Sequence, residues 1–369
     1  MSRSTSLPPL DSPAARAASG LWPTVLAALL RGEDLPALRA EQVMDEIIAG
    51  TATPAQIAAF AVLLRAKGET ADEIAGLTTS LMRNATPVRL EGTAVDVVGT
   101  GGDGADTVNI STMAALVVAG TGRRVVKHGG RGASSTCGTA DVLEELGIRI
   151  GLRADGVART VTTSGIGFCF APVFQPGLAH TSAPRRQTGV PTVFNLLGPL
   201  VNPARPVASL IGCADSTKAP LLARVFADRG VTALVVRGDD GLDELTTTTT
   251  STMWIAGGSR VARVRIDPSA LGIPAAPAGA LRGADRVHNA GVVRDVLAGK
   301  PGPVRDAVLL NAAAAIVAHD VAGGRHLPDA VRGALPAALD AAARSVDSGA
   351  ATRTLEHWVA TSNAEEARR

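Results

Sequence analysis

The stretch Asp96–Gly147, DVVGTGGDGADTVNISTMAALVVAGTGRRVVKHGGRGASSTCGTADVLEELG, decides the fold. Two short valine-rich runs, Val95–Val98 and Val125–Val126, each lead into a glycine-rich loop carrying small hydroxyl residues. An apolar run of helical period follows each loop, so the stretch reads as a strand–loop–helix unit used twice. The first loop holds Asp103 and Asp106; the second holds Lys127, His128 and Arg131. Glycines let backbone N–H groups approach an anion closely, and the N-terminus of the following helix favours negative charge. Two such loops side by side predict a ligand with more than one phosphate.

Gly99, Gly101 and Gly104 make a literal G-x-G-x-x-G after a strand. A dinucleotide fold also needs an acidic residue about 20 positions on, at the end of the next strand. Here that strand runs into Lys127 and His128, and Asp103 inside the loop would repel a bare pyrophosphate. The G-x-x-x-x-G-K-[ST] pattern is absent. Asn109-Ile110-Ser111-Thr112 follows the loop, and helix capping by Asn109 or Ser111 uses the same N–H groups as phosphate binding. Lys127, beside a glycine pair and Arg131 at a strand end, reads as an anion contact rather than a solvated lysine.

Upstream, Trp22 to about Met82 is helical in period. Pro54 takes a first-turn position after Thr53, and Thr70 with Glu73 forms a capping box. From Asp96 onward short apolar runs (VDVV, VVKH, IGFCFA, ASLIGC, TALVVRG) alternate with helical stretches, including 306–320 and 329–349. That alternation predicts an α/β domain with a mostly parallel central sheet flanked by helices, preceded by a small N-terminal helical domain. Pro191–Pro206 is a proline-punctuated segment with a short helical stretch. Thr246–Thr250 reads as a strand. Residues 1–18 read as a mobile tail.

Composition excludes several function classes. Tyr is absent and aromatics make up 2% of the chain, which removes the stacking platforms of single-strand binders. A net charge of +2 does not support a nucleic-acid surface. Cys137, Cys169 and Cys213 show no metal or disulfide spacing. With no apolar signal core and no run of about 18 apolar residues, neither secretion nor a membrane span is expected, and the chain reads as cytoplasmic.

A second motif, Gly238-Asp239-Asp240-Gly241-Leu242-Asp243-Glu244, follows the strand TALVVRG. Asp239-Asp240-Gly241 suits a solvated turn. Adjacent Asp243-Glu244 are costly to cluster without a cation, and hard oxygen ligands suit Mg²⁺ bridged to substrate phosphates. Farther back, Phe174–Arg186 holds His180, Arg185 and Arg186. His180 is open between a structural and a binding role, and Arg185 between a carboxylate ligand and a surface ion pair.

These residues together closely resemble the anthranilate phosphoribosyltransferase family, from about Trp22 to Trp358. The resemblance rests on Gly99-Thr-Gly-Gly-Asp103, Asn109-Ile-Ser-Thr112, Lys127-His-Gly129, Arg131, Ala133-Ser-Ser135, Gly138, Ala140-Asp141, Phe194-Asn-Leu-Leu-Gly-Pro199, Asn202-Pro203 and Gly241-Leu-Asp-Glu244. It implies a helical domain over 19–90, joined by part of 180–205, an α/β domain over 91–365, and a homodimer formed through the helical part. It implies Mg²⁺-dependent transfer of phosphoribosyl from 5-phosphoribosyl 1-diphosphate (PRPP) to the amine of anthranilate, with release of pyrophosphate.

Carried over by motif, PRPP is expected on Gly99, Gly102, Asp103, Thr107, Asn109, Ile110, Ser111, Thr112, Lys127, His128, Gly129, Arg131, Ala133, Ser134, Ser135 and Thr139. Anthranilate is expected on Gly99, Gly130, His180 and Arg185. A pair of Mg²⁺ ions is expected on Ser111, Asp243 and Glu244. His128 is a candidate for orientation only, and no strong general base stands out. The chain departs from the family pattern twice, both times on the acceptor side. Gly130 and Gly132 stand in a loop that usually reads Lys-His-Gly-Asn-Arg-Ala, and Gln175 replaces a His before Pro176. The alternative these departures raise is a paralogue acting on another aromatic acid.

Overall fold

In the computed structural model, residues 20–132, 136–324 and 327–368 are described. They divide into two compact units: residues up to Ala85 with Gln175–Leu197, and Thr86–Phe174 with the chain from Gly198 onward.

The first unit is all helical, with α1 (Leu21–Leu30), α2 (Ala37–Ile48), α3 (Pro54–Lys67) and α4 (Ala71–Asn84). Its helices begin where the sequence supplies caps. Thr53 with Gln56, and Thr70 with Glu73, each close a reciprocal capping box. Close packing of α2 on α4 depends on Gly76, where a Cβ would lie 2.0 Å from the Ala37 carbonyl oxygen. Glu73 is the polar centre of this unit. Fully buried, it accepts from the Leu35 N–H (2.9 Å) and the Thr70 N–H (2.8 Å) and pairs with Lys67 (3.1 Å). A 3₁₀ turn, Pro176–Thr181, packs on α2, and the short helix Ser182–Thr188 packs on α3.

The second unit is built on a seven-stranded sheet of order β3-β2-β1-β4-β5-β6-β7. Strands β1 (Val95–Gly99), β2 (Val125–Gly129), β3 (Ile166–Phe170), β4 (Ala208–Gly212) and β5 (Thr232–Gly238) run parallel. The antiparallel hairpin of β6 (Ser251–Gly257) and β7 (Arg260–Ile266) completes one edge. The helices are α5 (Ile110–Gly120), α6 (Thr139–Glu145), α7 (Ala154–Ser164), α8 (Ala219–Asp228), α9 (Arg286–Leu297), α10 (Pro303–Asp320), α11 (Leu327–Asp347) and α12 (Ala350–Glu366). Buried on all sides, α5 packs against α10, α11 and α12.

From β1 the chain winds outward through β2 and β3; from β4 it winds the opposite way. The strand order therefore reverses between β1 and β4, which places the binding crevice of an open α/β sheet at their C-terminal ends. Gly99 and Gly212 are register partners there.

The five parallel strands fall on the five apolar runs read from the sequence. The strand expected at Thr246–Thr250 does not form; β6 begins at Ser251. The threonine hydroxyls instead turn back on the preceding loop. Thr246 Oγ1 (2.7 Å) and Thr248 Oγ1 donate to Asp240, and Thr250 Oγ1 donates to Asp239 (2.5 Å). Side-chain bonds of this kind compete with a strand ladder.

Replacing Glu73 by Ala leaves Lys67 with exposed Asp34 (2.6 Å) and the Gly68 carbonyl (2.7 Å), and leaves the buried Leu35 N–H unpaired. The substitution is expected to cost about 3 kcal/mol of stability, read as a shift of the urea unfolding midpoint.

Candidate active site

The first loop leaves β1 at Gly99 and turns on three glycines in the left-handed region, Gly101, Gly102 and Gly104. Asp106 also has a positive φ, of 47°, which Asp tolerates better than most residues. Its carboxylate accepts from the Thr136 N–H (3.1 Å) and so ties the first loop to the second. Thr107 bridges Arg282, and the Val108 N–H donates to the Leu281 carbonyl (2.9 Å), which fixes the entry to α5.

Asn109 stands at the N-cap of α5, but its side chain makes no capping bond. It donates to the Cys137 carbonyl (3.1 Å) and accepts from Asn289 (3.0 Å). Ile110, Ser111 and Thr112 line the first turn of α5; the Ile110 N–H donates to the Val108 carbonyl (2.7 Å) and the Thr112 N–H to the Asn109 carbonyl (3.1 Å), while the Ser111 N–H faces Glu244.

The acidic turn after β5 sits directly on the crevice. Asp243 Oδ2 accepts from the Gly101 N–H at 2.7 Å. A Cβ on Gly99 would lie 2.2 Å from the same oxygen, and one on Gly212 would lie 1.5 Å from the Asp243 carbonyl oxygen. Any side chain at either position would displace the turn. Asp103, Asp243 and Glu244 come together there, within range of Lys127.

The charges in this cluster work against one another. Burial, and after it the Asp103 charge, pushes Asp243 up to about 7. Glu244 is raised well above the usual carboxylate range by burial and by Asp243, while Lys127 and the Ser111 N–H oppose the rise. Lys127, 1% exposed, donates to the Val97 carbonyl and to Ser111 Oγ (3.0 Å). Burial lowers it to about 8, against the pull of Asp96, Glu244 and Asp243.

A divalent cation fits this donor set. Asp103 Oδ2 and Thr112 Oγ1 are buried and have no partner among the described residues. Hard carboxylate oxygens forced together are what such an ion relieves. Among the described residues no three His, Cys, Asp or Glu enclose a metal by themselves. This suits Mg²⁺, which is bound through one or two carboxylates plus substrate phosphates.

The second loop leaves β2 at Gly129. His128 is buried, with Nδ1 3.0 Å from the Gly198 carbonyl and Nε2 without a partner among the described residues. Burial lowers its pKa to about 4, so the ring is neutral at pH 7, donates through Nδ1 and presents a free lone pair at Nε2. Below it lies a network the sequence did not reveal. Fully buried Asp96 accepts from the His128 N–H (3.2 Å) and from Asn202 Nδ2 (2.9 Å), which also donates to the Val126 carbonyl (2.8 Å).

Arg131, expected at an anion, is held by Asp141 (2.8 Å) and Glu144 (2.6 Å), with its guanidinium 5.7 Å from the Phe170 ring centre. Asp141 also accepts from the Gly138 N–H (2.9 Å) at the start of α6, next to Thr139. Gly138 lies so close to Gly132 that a Cβ on it would be 2.0 Å from the Gly132 nitrogen. Gly130 faces open space. Ala133, Ser134 and Ser135 lie outside the described residues, as does the tail over 1–18.

Two further expected residues belong to the helical unit. His180 is exposed, its ring lying over Gly50, where a Cβ would be 2.9 Å from Nε2. Arg185 has no carboxylate partner among the described residues, and desolvation lowers its pKa. A largely desolvated guanidinium without an anion is a ready receptor for a carboxylate.

Two glycosyl transferase family models match the chain: the helical bundle domain over residues 23–85 and the a/b domain over 91–352. Anthranilate phosphoribosyltransferase from Arthrobacter sp. (strain FB24) is 55% identical over 346 residues, 94% of this chain and 97% of that protein. Among solved structures, the Thermus thermophilus anthranilate phosphoribosyltransferase matches with a TM-score of 0.84 and 35% identity, over 92% of this chain and 99% of that one. The Saccharomyces cerevisiae anthranilate phosphoribosyltransferase in complex with PRPP and Mg matches with a TM-score of 0.82 and 27% identity, over 93% and 98%.

A cation binds the deprotonated carboxylate, so an Asp243 raised to about 7 must lose its proton on loading. Mg²⁺-dependent PRPP binding is expected to tighten as pH rises from 6 to 8, by about tenfold per pH unit on the acid side. Calorimetry in buffers of different ionisation enthalpy measures the released protons, which Asp243→Asn should reduce to the share of Glu244, itself raised by burial.

Proposed function

The chain belongs to the anthranilate phosphoribosyltransferase family, and we propose how its residues divide the transfer of phosphoribosyl from PRPP to the anthranilate amine. The observation that carries the reading is the acidic turn seated over Gly99 and Gly212, with Asp243 on the Gly101 N–H. Backbone N–H groups of the first loop and the first turn of α5 hold the diphosphate, with the Ser111 and Thr112 hydroxyls beside them. Asp243, Glu244 and Ser111 hold Mg²⁺, as a pair of ions. When bound, Mg²⁺ neutralises charge growing on the departing pyrophosphate.

Lys127 adds a fixed positive charge from below and orients Ser111 through their hydrogen bond. Arg131 is a strut rather than a phosphate ligand: its pairs with Asp141 and Glu144 hold the second loop against α6. Thr107, Gly102, Gly129, Thr139 and the Ala133–Ser135 segment complete the donor set by motif.

The aromatic amine is neutral at pH 7 and needs position more than activation. Neutral His128 offers Nε2 as an acceptor; by motif, Arg185 in the helical unit takes the anthranilate carboxylate in a two-pronged contact, with His180 near it in sequence. Gly130 leaves open space where the family pattern has an amide side chain. Relatives sharing over half their residues with this chain are anthranilate enzymes, which does not favour the alternative of another aromatic acceptor. A homodimer through the helical unit is supported by its exposed Leu30, Leu38 and Val62. A cytoplasmic setting is supported by three free, buried cysteines. Among the described residues no helix is long and apolar enough to cross a membrane.

A pyrophosphate-release assay with PRPP, Mg²⁺ and a panel of aromatic acids tests the reading. Anthranilate should turn over, and preference for another acid would overturn it. Arg185→Ala should raise the KM for anthranilate by about 10- to 100-fold with the PRPP KM nearly unchanged. Gly130→Asn meets no steric obstacle and should preserve or lower the anthranilate KM; a collapse of turnover would contradict the acceptor assignment.

A further inference from the structure

Leu245 directly follows the acidic pair and is fully buried. Both of its backbone polar groups must therefore find partners inside the protein. They find a single side chain. Asn311 Oδ1 accepts from the Leu245 N–H at 3.0 Å, and Asn311 Nδ2 donates to the Leu245 carbonyl at 2.8 Å. The second Nδ2 proton goes to the Ala307 carbonyl at 2.9 Å, one turn back in α10. An amide alone supplies one acceptor and two donors in this geometry; a carboxylate lacks the donors and an aliphatic chain lacks both.

Asn311 is fully buried and stands in the apolar run AVLLNAAAAIVA, where every neighbour in sequence is apolar. It acts as a one-residue strand partner for Leu245. On the other side of the pair, the Asp243 carbonyl rests on Gly212. Farther back, the turn is closed by the Gly238 N–H donating to the Leu242 carbonyl (2.9 Å) and by Asp240 gathering Thr246 and Thr248. Glu244 is therefore the residue between two pinned points, the Gly212 seat and the Asn311 clamp.

We propose that Asn311 is a positioning residue that aims Glu244, and through it the Mg²⁺–PRPP complex, by clamping the Leu245 backbone. The proposal rests on the reading of Asp243 and Glu244 as the carboxylates of that complex. Groups that orient a metal ligand carry about 10- to 100-fold of the metal affinity. A buried Asn that serves only the stability of α10 carries none of it.

The test is direct binding. Mn²⁺ bound in the presence of saturating PRPP is counted by electron paramagnetic resonance, and PRPP with Mg²⁺ is titrated by calorimetry. Asn311→Ala should weaken both by about 10- to 100-fold and raise the PRPP KM. The anthranilate KM at saturating PRPP should stay within about twofold. Asn311→Ser removes the amide without burying a charge, can still donate to the Ala307 carbonyl, and serves, with the same loss expected, where Asn311→Ala gives no folded protein. Ser345→Ala is the stability control: buried Ser345 donates to the Val117 carbonyl (2.8 Å) in α5, and its loss should lower Tm without moving either affinity.

Parallel Asp243→Asn and Glu244→Gln variants separate the two levels of the claim. If both bind Mn²⁺ and PRPP as the parent does, the carboxylate reading itself is wrong. If they lose binding while the Asn311 variants stay within about twofold of the parent, the positioning role is overturned.

Discussion

The contact on which the site depends is the seat of Asp243 over two glycines. Gly99 and Gly212 end neighbouring parallel strands at the point where strand order reverses, and neither has room for a Cβ beneath the acidic turn. The Gly101 N–H meets Asp243 Oδ2 from the loop that follows. One contact thus joins the first glycine loop, the end of β4 and the acidic turn. Without it the acidic turn would lose its fixed place beside the loop that leads into α5. The glycines serve as floor space for a carboxylate as much as for phosphate approach.

That placement has an electrostatic cost the rest of the site answers. Burial beside Asp103 pushes Asp243 and Glu244 above the usual carboxylate range, and the buried lysine next to them is held below its own. Each group is unfavourable alone and partly offset by the others. Asp96, buried in β1 beside β2, belongs to the same balance: it supports Lys127 by charge and fixes the His128 N–H and Asn202 by hydrogen bonds. A cation entering such a cluster gains attraction that solvent would otherwise screen.

The sequence showed what is periodic or local. Five valine- and isoleucine-rich runs marked the parallel strands because each is short, apolar and set between helical stretches. The capping boxes at Thr53 and Thr70 were legible because a helix start needs only four residues. The loops at Gly99 and Lys127 and the acidic pair were legible as unusual clusters of one chemistry. The supports were not. Asn311 lies 66 residues from the backbone it clamps, and Asn202 lies 106 residues from Asp96. The only trace of Asn311 was one polar residue in an alanine-rich run. The threonine run misled because β-branched residues favour strands, whereas here Asp239 and Asp240 supply the hydroxyls with nearby acceptors. The pairs of Arg131 with Asp141 and Glu144, one helix turn apart on α6, are not legible from its own loop.

The most direct measurement is a crystal structure with PRPP and Mn²⁺, the ion located by its anomalous scattering. The account predicts Mn²⁺ density on the Asp243 and Glu244 oxygens at the C-terminal ends of β1 and β4, with the diphosphate reaching the N-terminus of α5. Metal and diphosphate density away from both carboxylates, with the acidic turn unmoved, would contradict it.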